Sequence, residues 1–526
     1  TSLYLPIANI AEEELQKIPE ELRTPQLSRK ESLRFLFFRT LSTHGILDEN
    51  YFCERYSAKE NEVKEILEIL RKEENIIEGK FNNAEVNQWA YKPNLEKIHN
   101  ASLFLRRKEI QTVPLSTFTK FLLHWQHRTS QENEIYNVCE QLQGIFLPSQ
   151  IWHNDIFSPR MKFYSQEMLQ TLCSQGEIVC IGTKGGKISW VFRGEENNVI
   201  SENVELSSSS QKVYEFLQKN GASFFSVIRE ELEYSLPILT KAISELFWNG
   251  FITNDIVEEV LNIKRYKNSA EENILPEERY TLSNPMRNRM KNVAMNSVRK
   301  ALKNIPGWNG RWSVIHKKNI PVEDQIKKQA EQLLLRYGIV ARELVKREEY
   351  LLPWSLLAME FQRMEMRGEI RRGYFVEGLS GMQFAHPEAV KNLYNVSQNT
   401  TEKIIILNTC DPANPYGIGI ELPKGFPEFF RYTRSPQNYI IFFDGVPIMV
   451  VENFGTKIIS LQEISKEIFE NALQEFLIYL RSYHKTLKAI TVEYCNDERP
   501  NVSRFSEIFE RLGFYREKMQ TLRVEL

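Results

Sequence analysis

The stretch RMEMRGEIRRGYFVEGLSGMQFAHP, Arg363–Pro387, is the clearest indication of how this chain folds. The helical spacing of apolar residues that leads into it stops at Gly368, and the short aromatic run IRRGYF follows. Glycine supplies the left-handed backbone position that closes a helix, and a run of this kind pairs with a neighbouring strand. We therefore predict a helix, a glycine turn and a β-hairpin.

The same order of features recurs three more times along the chain. It is present in VKEILEILRKEENIIEGKF (63–81), EMLQTLCSQGEIVCIG (167–182) and LTKAISELFWNGFITND (239–255), and another short helical pattern precedes each copy. Two helices joined by a turn and followed by a two-stranded wing make a winged helix-turn-helix. The pattern therefore predicts tandem winged-helix units in an α+β protein.

The residue composition changes near residue 399. Runs of β-branched and aromatic residues lie on both sides of one long helix of roughly 465–484. We expect a β-rich C-terminal module there, either barrel-like or a curled sheet. Together with a chain length of 526 residues, these patterns suggest six segments. They are a winged-helix unit with an N-terminal extension (1–110), a second winged-helix-like unit (111–206), a third (207–270), a basic segment (271–320), a fourth winged-helix unit (321–399) and the β-rich module (400–526).

The cations are concentrated in one segment of a chain whose formal net charge is −2. Residues 281–320 contain no Asp or Glu and nine basic residues: Arg287, Arg289, Lys291, Arg299, Lys300, Lys303, Arg311, Lys317 and Lys318. A local field of this kind attracts phosphate even when the whole molecule is nearly neutral. In the fourth wing, Arg371, Arg372 and Tyr374 can bind phosphate and stack on bases, although exposed arginines also occur on inert surfaces.

Two short motifs contain candidate catalytic groups. In CEQLQG (139–144), the amides of Gln141 and Gln143 point about 200° apart on a continuous helix, so they act together only if the helix ends there. In CDPANPYG (410–417), a rigid turn holds Asp411, a carboxylate suited to activating water. Both motifs are equally consistent with ordinary structural roles, as a helix end and a turn.

The sequence lacks the motifs that are typical of several classes of function. It lacks the phosphate-binding G-x-x-x-x-G-K-[ST] loop, a C-x-x-C pair and any long apolar run. We therefore expect no nucleotide motor within these residues, no metal or other cofactor, reduced thiols and no membrane partner. His124 and His127 share a helix face without a third ligand nearby, so we interpret them as surface histidines.

The segments FLLHWQHR (121–128), LLLRYGIVAREL (333–344) and RRGYFVEGLSGMQFAHPEAV (371–390) resemble the C-terminal half of bacterial Lhr, the large helicase-related proteins. The resemblance implies winged helices, a β-barrel and a relation to AlkZ/YcaQ-type DNA glycosylases, whose Gln-x-Gln motif Gln141 and Gln143 match. It also implies a preceding helicase core that uses ATP and Mg²⁺, as expected for a segment without an initiator methionine. The implied partners are single-stranded or forked DNA and further copies of the chain, in a bacterial cytoplasm near the nucleoid.

Two hypotheses follow from these observations. In the first, the chain is a DNA-binding region of a repair helicase that also removes a base, for example uracil, from DNA. In the second, it is a non-catalytic module that binds DNA or RNA and assembles protomers for the motor.

Overall fold

The computed structural model describes residues 7, 16–17, 19–20, 27–73, 75–81, 86–108, 111–127, 134–196, 204–263, 309–316, 320–398, 403–518 and 520–526. These residues form two compact units, Thr1–Ile110 and Gln111–Leu526. None of the helices in these ranges is both long enough and apolar enough to cross a bilayer.

The first unit contains one winged-helix domain, which we call domain A. Its elements are α1 (Arg29–Thr43), β1 (Leu47–Asp48), α2 (Glu49–Tyr56), α3 (Glu60–Glu73), β2 (Ile76–Gly79), β3 (Gln88–Tyr91) and α4 (Lys92–Lys108). Ser28 begins α1 with a capping box, in which Ser28 and Glu31 each bond the other's backbone N–H. The strands form a sheet in the order β1-β3-β2, and the core includes Phe37 of α1, Leu67 of α3 and Trp89 of β3.

The second unit begins with domain B and the helix that precedes it. Their elements are α5 (Leu115–Trp125), α6 (Ile135–Leu142), β4 (Leu147–Pro148), α7 (Gln166–Gln175), β5 (Ile178–Gly182) and β6 (Lys187–Phe192). Two short 3-10 turns and a π-helical turn, Trp152–Phe157, replace the second regular helix. The sheet order β4-β6-β5 repeats that of domain A.

Domain C has the same plan but an interrupted wing. Its elements are α8 (Ser208–Asn220), β7 (Ser223–Phe224), α9 (Phe225–Glu231), α10 (Leu236–Trp248), β8 (Ile252–Asn254), α11 (Val257–Asn262) and β9 (Arg311–Val314). Strand β9 lies between β7 and β8, so residues on both sides of 264–308 build one sheet. The segment 271–320 therefore includes β9, which belongs to the sheet of this domain.

Domain D completes the winged helices. It consists of α12 (Val322–Tyr337), β10 (Ile339–Val340), α13 (Arg342–Val345), α14 (Trp354–Met366), β11 (Arg371–Gly373), β12 (Gln383–Ala385) and α15 (Pro387–Gln398). The side-chain amide of Gln383 orders the wing, because its Oε1 accepts hydrogen bonds from the backbone N–H groups of Phe375 and Val376. The helix, glycine turn and hairpin predicted from Arg363–Pro387 are confirmed.

The C-terminal module contains two sheets that share one core. Its elements are β13 (Ile404–Asn408), β14 (Tyr439–Phe443), β15 (Val446–Glu452), β16 (Lys457–Ser460), α16 (Lys466–Tyr483), β17 (Ala489–Val492), β18 (Tyr494–Cys495), α17 (Ser506–Arg511), β19 (Tyr515–Lys518) and β20 (Thr521–Glu525). The first sheet runs β13-β14-β15-β16-β18 and the second β17-β20-β19, each with two open edges. The barrel-like expectation is therefore unsupported, whereas the long helix begins after its Ser465 cap and ends before His484 as predicted.

Glycines end several helices as the sequence predicts, and one of them also lies at a tight packing point. Gly338 follows α12 with a φ of +66°, and a Cβ placed there would lie 2.8 Å from the Phe121 ring and 2.9 Å from Trp125. Gly368, after α14, has a φ of +79° but no atom within 4 Å of such a Cβ. A side chain at Gly338 would suffer both backbone strain and a steric clash, whereas a side chain at Gly368 would suffer backbone strain alone.

We expect Gly338→Ala to lower the free energy of unfolding by about 3 kcal/mol, because backbone strain adds to a clash in the core. Gly368→Ala, the control, carries only the strain and is expected to cost about 1 kcal/mol. Urea unfolding followed by tryptophan fluorescence measures both changes. Equal losses from the two variants would contradict the packing assigned to Gly338.

Candidate functional site

A cavity of about 390 Å³ lies between domains B and D, and we call it the B–D cleft. Its walls are the end of α6, one side of α12 and the segment Glu348–Leu351 that leads into α14. Gln143, Gln332, Arg336 and Glu348 are among the residues that line it. The volume lies within the range of about 300–1,000 Å³ that is typical of pockets for small organic ligands.

The two glutamines of the CEQLQG motif have different surroundings because α6 ends between them, at Leu142. The buried Gln141 amide donates to the carbonyl oxygens of Trp125, at 3.0 Å, and Leu335, at 3.4 Å. Gln143 faces the B–D cleft, where its Nε2 donates to Gln332 Oε1 at 3.1 Å. Gln141 therefore joins α6 to α5 and α12, and only Gln143 lines the cavity.

Arg336 joins the two walls of the cleft, although it was not among the residues predicted from the sequence. Its buried guanidinium forms an ion pair with Glu348 and donates a hydrogen bond to the Gln143 carbonyl oxygen. In the sequence, Arg336 follows three leucines in LLLRY. A basic residue within the apolar stripe of a helix is buried on folding and needs an acidic partner, so this pattern could have identified Arg336. Glu348 Oε1 is buried and has no hydrogen-bond partner among the described residues.

Carboxylates outnumber cations on the lining of the B–D cleft. Lys328 and Arg336 are its two basic residues, against five acidic ones: Glu140, Glu195, Glu331, Glu348 and Glu349. Burial raises the pKa of the neighbouring Tyr337 phenol, and the charge of Glu348 raises it further. Such a lining disfavours phosphate and favours a group that is neutral or develops positive charge.

Asp411 lies outside the B–D cleft, at a different junction. Its carboxylate is fully buried and accepts two hydrogen bonds from Arg160, at 2.8 and 3.1 Å, and one from the backbone N–H of Ala413 at 2.8 Å. Arg160 also donates to Gln126 Oε1 at 3.2 Å, so the pair fastens the C-terminal module to α5 and domain B. These contacts give Asp411 a structural role, and its role in activating water stays a prediction.

The predicted DNA-binding residues fall into three groups. Arg287, Arg289, Lys291, Arg299, Lys300 and Lys303, with Lys317 and Lys318, lie outside the described residues. Arg311 and Arg372 are held in ion pairs with Asp255, at 2.8 Å, and Glu365, at 2.9 Å. Arg371 is exposed on the wing of domain D, and Tyr374 beside it is 54% exposed.

In a winged helix the second helix of the helix-turn-helix is the element that usually enters the DNA groove. In domain C this helix is α10, and about half of its residues are buried. Its residue Phe247 packs closely against Gly182 of domain B: a Cβ added to Gly182 would lie 2.8 Å from the Phe247 carbonyl oxygen. In domain D, α14 carries Arg363, which is paired with Glu360. Each of these two helices carries one basic residue, the exposed Lys241 on α10 and Arg363 on α14, and the wing of domain D adds Arg371 and Arg372.

The buried pair of Arg160 and Asp411 provides a test of these structural assignments. We expect Asp411→Asn to lower the free energy of unfolding by about 3–5 kcal/mol, because the buried guanidinium loses its opposite charge. Glu507→Gln is the control, since Glu507 pairs with Lys466 and both side chains are more than half exposed, so its loss is expected to cost less than about 1 kcal/mol. Thermal and urea unfolding measure both changes, and an Asp411→Asn variant as stable as the parent contradicts the assignment.

Comparison with protein families gives two matches, which enclose domains B and D. A family model described as "Large helicase-related protein, winged-helix domain" matches residues 321–404, and a second with the same description matches residues 113–193. Among solved structures, "Streptomyces sahachiroi DNA glycosylase AlkZ" aligns with a TM-score of 0.39 and 12% identity. That alignment covers 71% of this chain and 98% of that chain.

Two curated relatives match most of the chain. It is 25% identical over 504 residues to "Lhr helicase/uracil glycosylase" of Escherichia coli strain K12, which covers 86% of this chain and 31% of the relative. It is 26% identical over 455 residues to "Lhr helicase/ probable uracil glycosylase" of Mycolicibacterium smegmatis, with 82% and 30% covered. The chain thus spans less than a third of the length of these relatives. The predicted resemblance is confirmed: the chain is similar to large helicase-related (Lhr) proteins over most of its length, and domains B and D match winged-helix domain models of that family.

Proposed function

We propose that this chain binds DNA for an Lhr-type helicase and removes a base from it in the B–D cleft. The observation that carries the proposal is the position of Gln143, whose side chain lines a cavity large enough for a small organic ligand. A base excised from DNA must first leave the stack and enter a pocket of this kind. Both curated relatives carry "uracil glycosylase" in their names, so uracil is the first base to test.

Gln143 is suited to orient a reacting group. Its Nε2 is held by Gln332, and its carbonyl is held by Arg336, so the residue is fixed from both ends before a ligand arrives. Preorganised groups lower a reaction barrier because they need not be reoriented during the reaction. Gln141 supports this arrangement from the α6–α12 interface instead of contacting the ligand.

DNA binding in this proposal depends on the wings and on the basic segment between β8 and β9. The second helices of domains C and D carry one basic residue each, Lys241 and the paired Arg363, whereas Arg371 and Tyr374 are exposed on the wing of domain D. Arginine contacts phosphate without regard to sequence, and an exposed aromatic ring stacks on any base. The expected binding is therefore largely independent of sequence, as suits a protein that moves along DNA.

Charge reversal tests the contribution of the basic segment. We expect Arg299→Glu, Lys300→Glu and Lys303→Glu together to flatten the slope of log Kd against log salt concentration by about 2 to 3, because each phosphate contact releases counterions. The control reverses three other exposed lysines, Lys212 and Lys219 on α8 and Lys485 in the C-terminal module, and therefore changes the net charge equally. If the slope of the first variant matches that of the parent, the segment does not contact phosphate.

Base excision is tested with a single strand that contains one uracil. The unmodified chain is expected to yield an abasic strand, and Gln143→Ala to slow single-turnover product formation by about 100-fold, because one positioned hydrogen-bonding group is lost. Gln175→Ala, an exposed glutamine at the end of α7, is the control. The absence of product from the unmodified chain would leave the alternative, a non-catalytic nucleic-acid-binding module, and competition between DNA and RNA of one sequence would then define its ligand.

A further inference from the structure

Among the described residues that line the B–D cleft, Tyr350 is the one with an aromatic side chain. Its backbone φ is +63°, in the left-handed region that glycine and asparagine adopt readily and bulky residues adopt rarely. Such a conformation is unfavourable, and it persists only where the surrounding structure enforces it. A strained aromatic residue on the wall of a cavity is therefore a candidate for contact with a ligand.

The side chain of Gln329 enforces this conformation. Gln329 is a buried residue of α12, and its Nε2 donates a hydrogen bond to the Tyr350 carbonyl oxygen at 3.3 Å. Its Oε1 accepts a hydrogen bond from the backbone N–H of Leu352 at 2.8 Å. One amide thus holds the chain on both sides of the peptide bond that follows Tyr350.

The two residues before Tyr350 are also held, each by a different domain. Glu348 pairs with Arg336 of α12 in domain D, and Glu349 pairs with Lys187 of β6 in domain B at 2.6 Å. The position of Tyr350 is therefore set before a ligand arrives. A group that is ordered in advance loses little conformational entropy on binding.

The ring of Tyr350 lies at the boundary between a small apolar core and the cavity. It packs against the Phe146 ring, with the centroids 5.0 Å apart and the planes inclined by 58°. Phe146 belongs to a buried cluster that also contains Val191, and Val191 lines the cleft. Phe146 is buried, whereas Tyr350 is partly exposed. A ligand in the cleft therefore has access to the tyrosine and not to the phenylalanine.

These surroundings suit the flat face of a nucleobase. Leu333, Leu335 and Leu351 line the same cavity as Tyr350, so an aromatic ring stands beside aliphatic residues. Bases that leave the DNA stack are held by stacking on such side chains and by hydrogen bonds to their edges. Gln143 lines the cavity too, and its side-chain amide can supply the second kind of contact.

From this arrangement we infer that Tyr350 is the stacking residue of the B–D cleft: its ring packs against the face of the nucleobase that leaves the DNA stack and enters the cavity. The inference rests on the proposed function and adds the residue that holds the base. Stacking is tolerant of base identity, because every base has a π face. Tyr350 therefore contributes affinity for any base, and selection among bases falls to polar groups such as Gln143.

The test measures how much one base adds to the affinity, without depending on catalysis. Two single strands are built of abasic spacers, and one of them carries a non-hydrolysable 2′-fluoro analogue of deoxyuridine at its centre. We expect the uracil to lower the Kd of the unmodified chain by about tenfold, the effect of stacking one base on an aromatic ring. Equal Kd values for the two strands overturn the inference.

Variants assign this difference to the ring. Tyr350→Asn removes the ring while tolerating the left-handed backbone, so it is expected to bind both strands equally. Tyr350→Phe keeps the ring and is expected to keep the tenfold difference. Tyr136→Asn is the matched control, since Tyr136 is exposed, its ring centroid lies 4.6 Å from that of Phe192, and it is not among the described residues of the lining. A Tyr350→Asn variant that keeps the difference overturns the inference.

A further variant covers the case in which Tyr350→Asn does not fold, as judged from its urea midpoint. Tyr350→Leu keeps apolar packing against Phe146 but lacks a flat ring, so it is expected to lose most of the tenfold difference. A folded Tyr350→Leu variant that discriminates between the two strands as well as the unmodified chain overturns the inference.

The outcome for the stacking residue is distinguishable from the outcome for base excision. An unmodified chain that releases no base, yet binds the uracil strand more tightly through Tyr350, overturns the excision and supports the base-binding role. An active chain whose Tyr350→Asn variant keeps both the rate and the difference in Kd overturns the inference and leaves the proposed function intact.

Discussion

The buried guanidinium of Arg336 is the constraint on which the B–D cleft depends. Taking a charge out of water costs several kcal/mol, so Arg336 is tolerated only where its surroundings supply an opposite charge and hydrogen-bond acceptors. Glu348 supplies the charge, and the carbonyl of Gln143 supplies an acceptor from another domain. Because both contacts must form together, the relative position of α6, α12 and the Glu348 segment is fixed. The cleft is therefore set by electrostatic requirements as well as by apolar packing.

A second buried pair acts in the same way at the next junction. Arg160 of domain B and Asp411 of the C-terminal module are both fully buried and share two hydrogen bonds. Nearby, Asp155 accepts from the Tyr479 hydroxyl at 2.8 Å and lies 3.0 Å from His484 Nε2, so a polar network continues into the module. Apolar surfaces tolerate small shifts, whereas buried charges and hydrogen-bond networks lose much of their energy when displaced. Such pairs make the junctions between these domains specific.

The local features of the fold were predictable because they depend on residues close together in the sequence. Gly176, Gly250 and Gly368 follow helix ends with positive φ, as the patterns indicated. The features that the sequence did not reveal depend on distant residues. Strand β9 pairs with β8, which lies more than 50 residues earlier in the sequence. A sequence rich in β-branched residues is also compatible with either two open sheets or a barrel. The turn around Asp411 could likewise be predicted from neighbouring residues, whereas its ion pair could not, because Arg160 lies 251 residues away in the sequence.

The separation of the candidate residues shows how a tandem array of small domains produces a site. Gln143 was recognisable from its motif, yet Arg336 and Glu348 belong to another domain and acquire meaning only once α6 and α12 meet. A winged helix is too small to enclose a pocket of its own, because most of its interior is needed for its core. Two such domains placed side by side leave a cavity between them, and its lining is then free to carry unpaired polar groups at a cost in stability. In the proposed function, the exposed Arg371 and Tyr374 on the wing of domain D contact DNA, while the acidic lining between domains B and D disfavours phosphate.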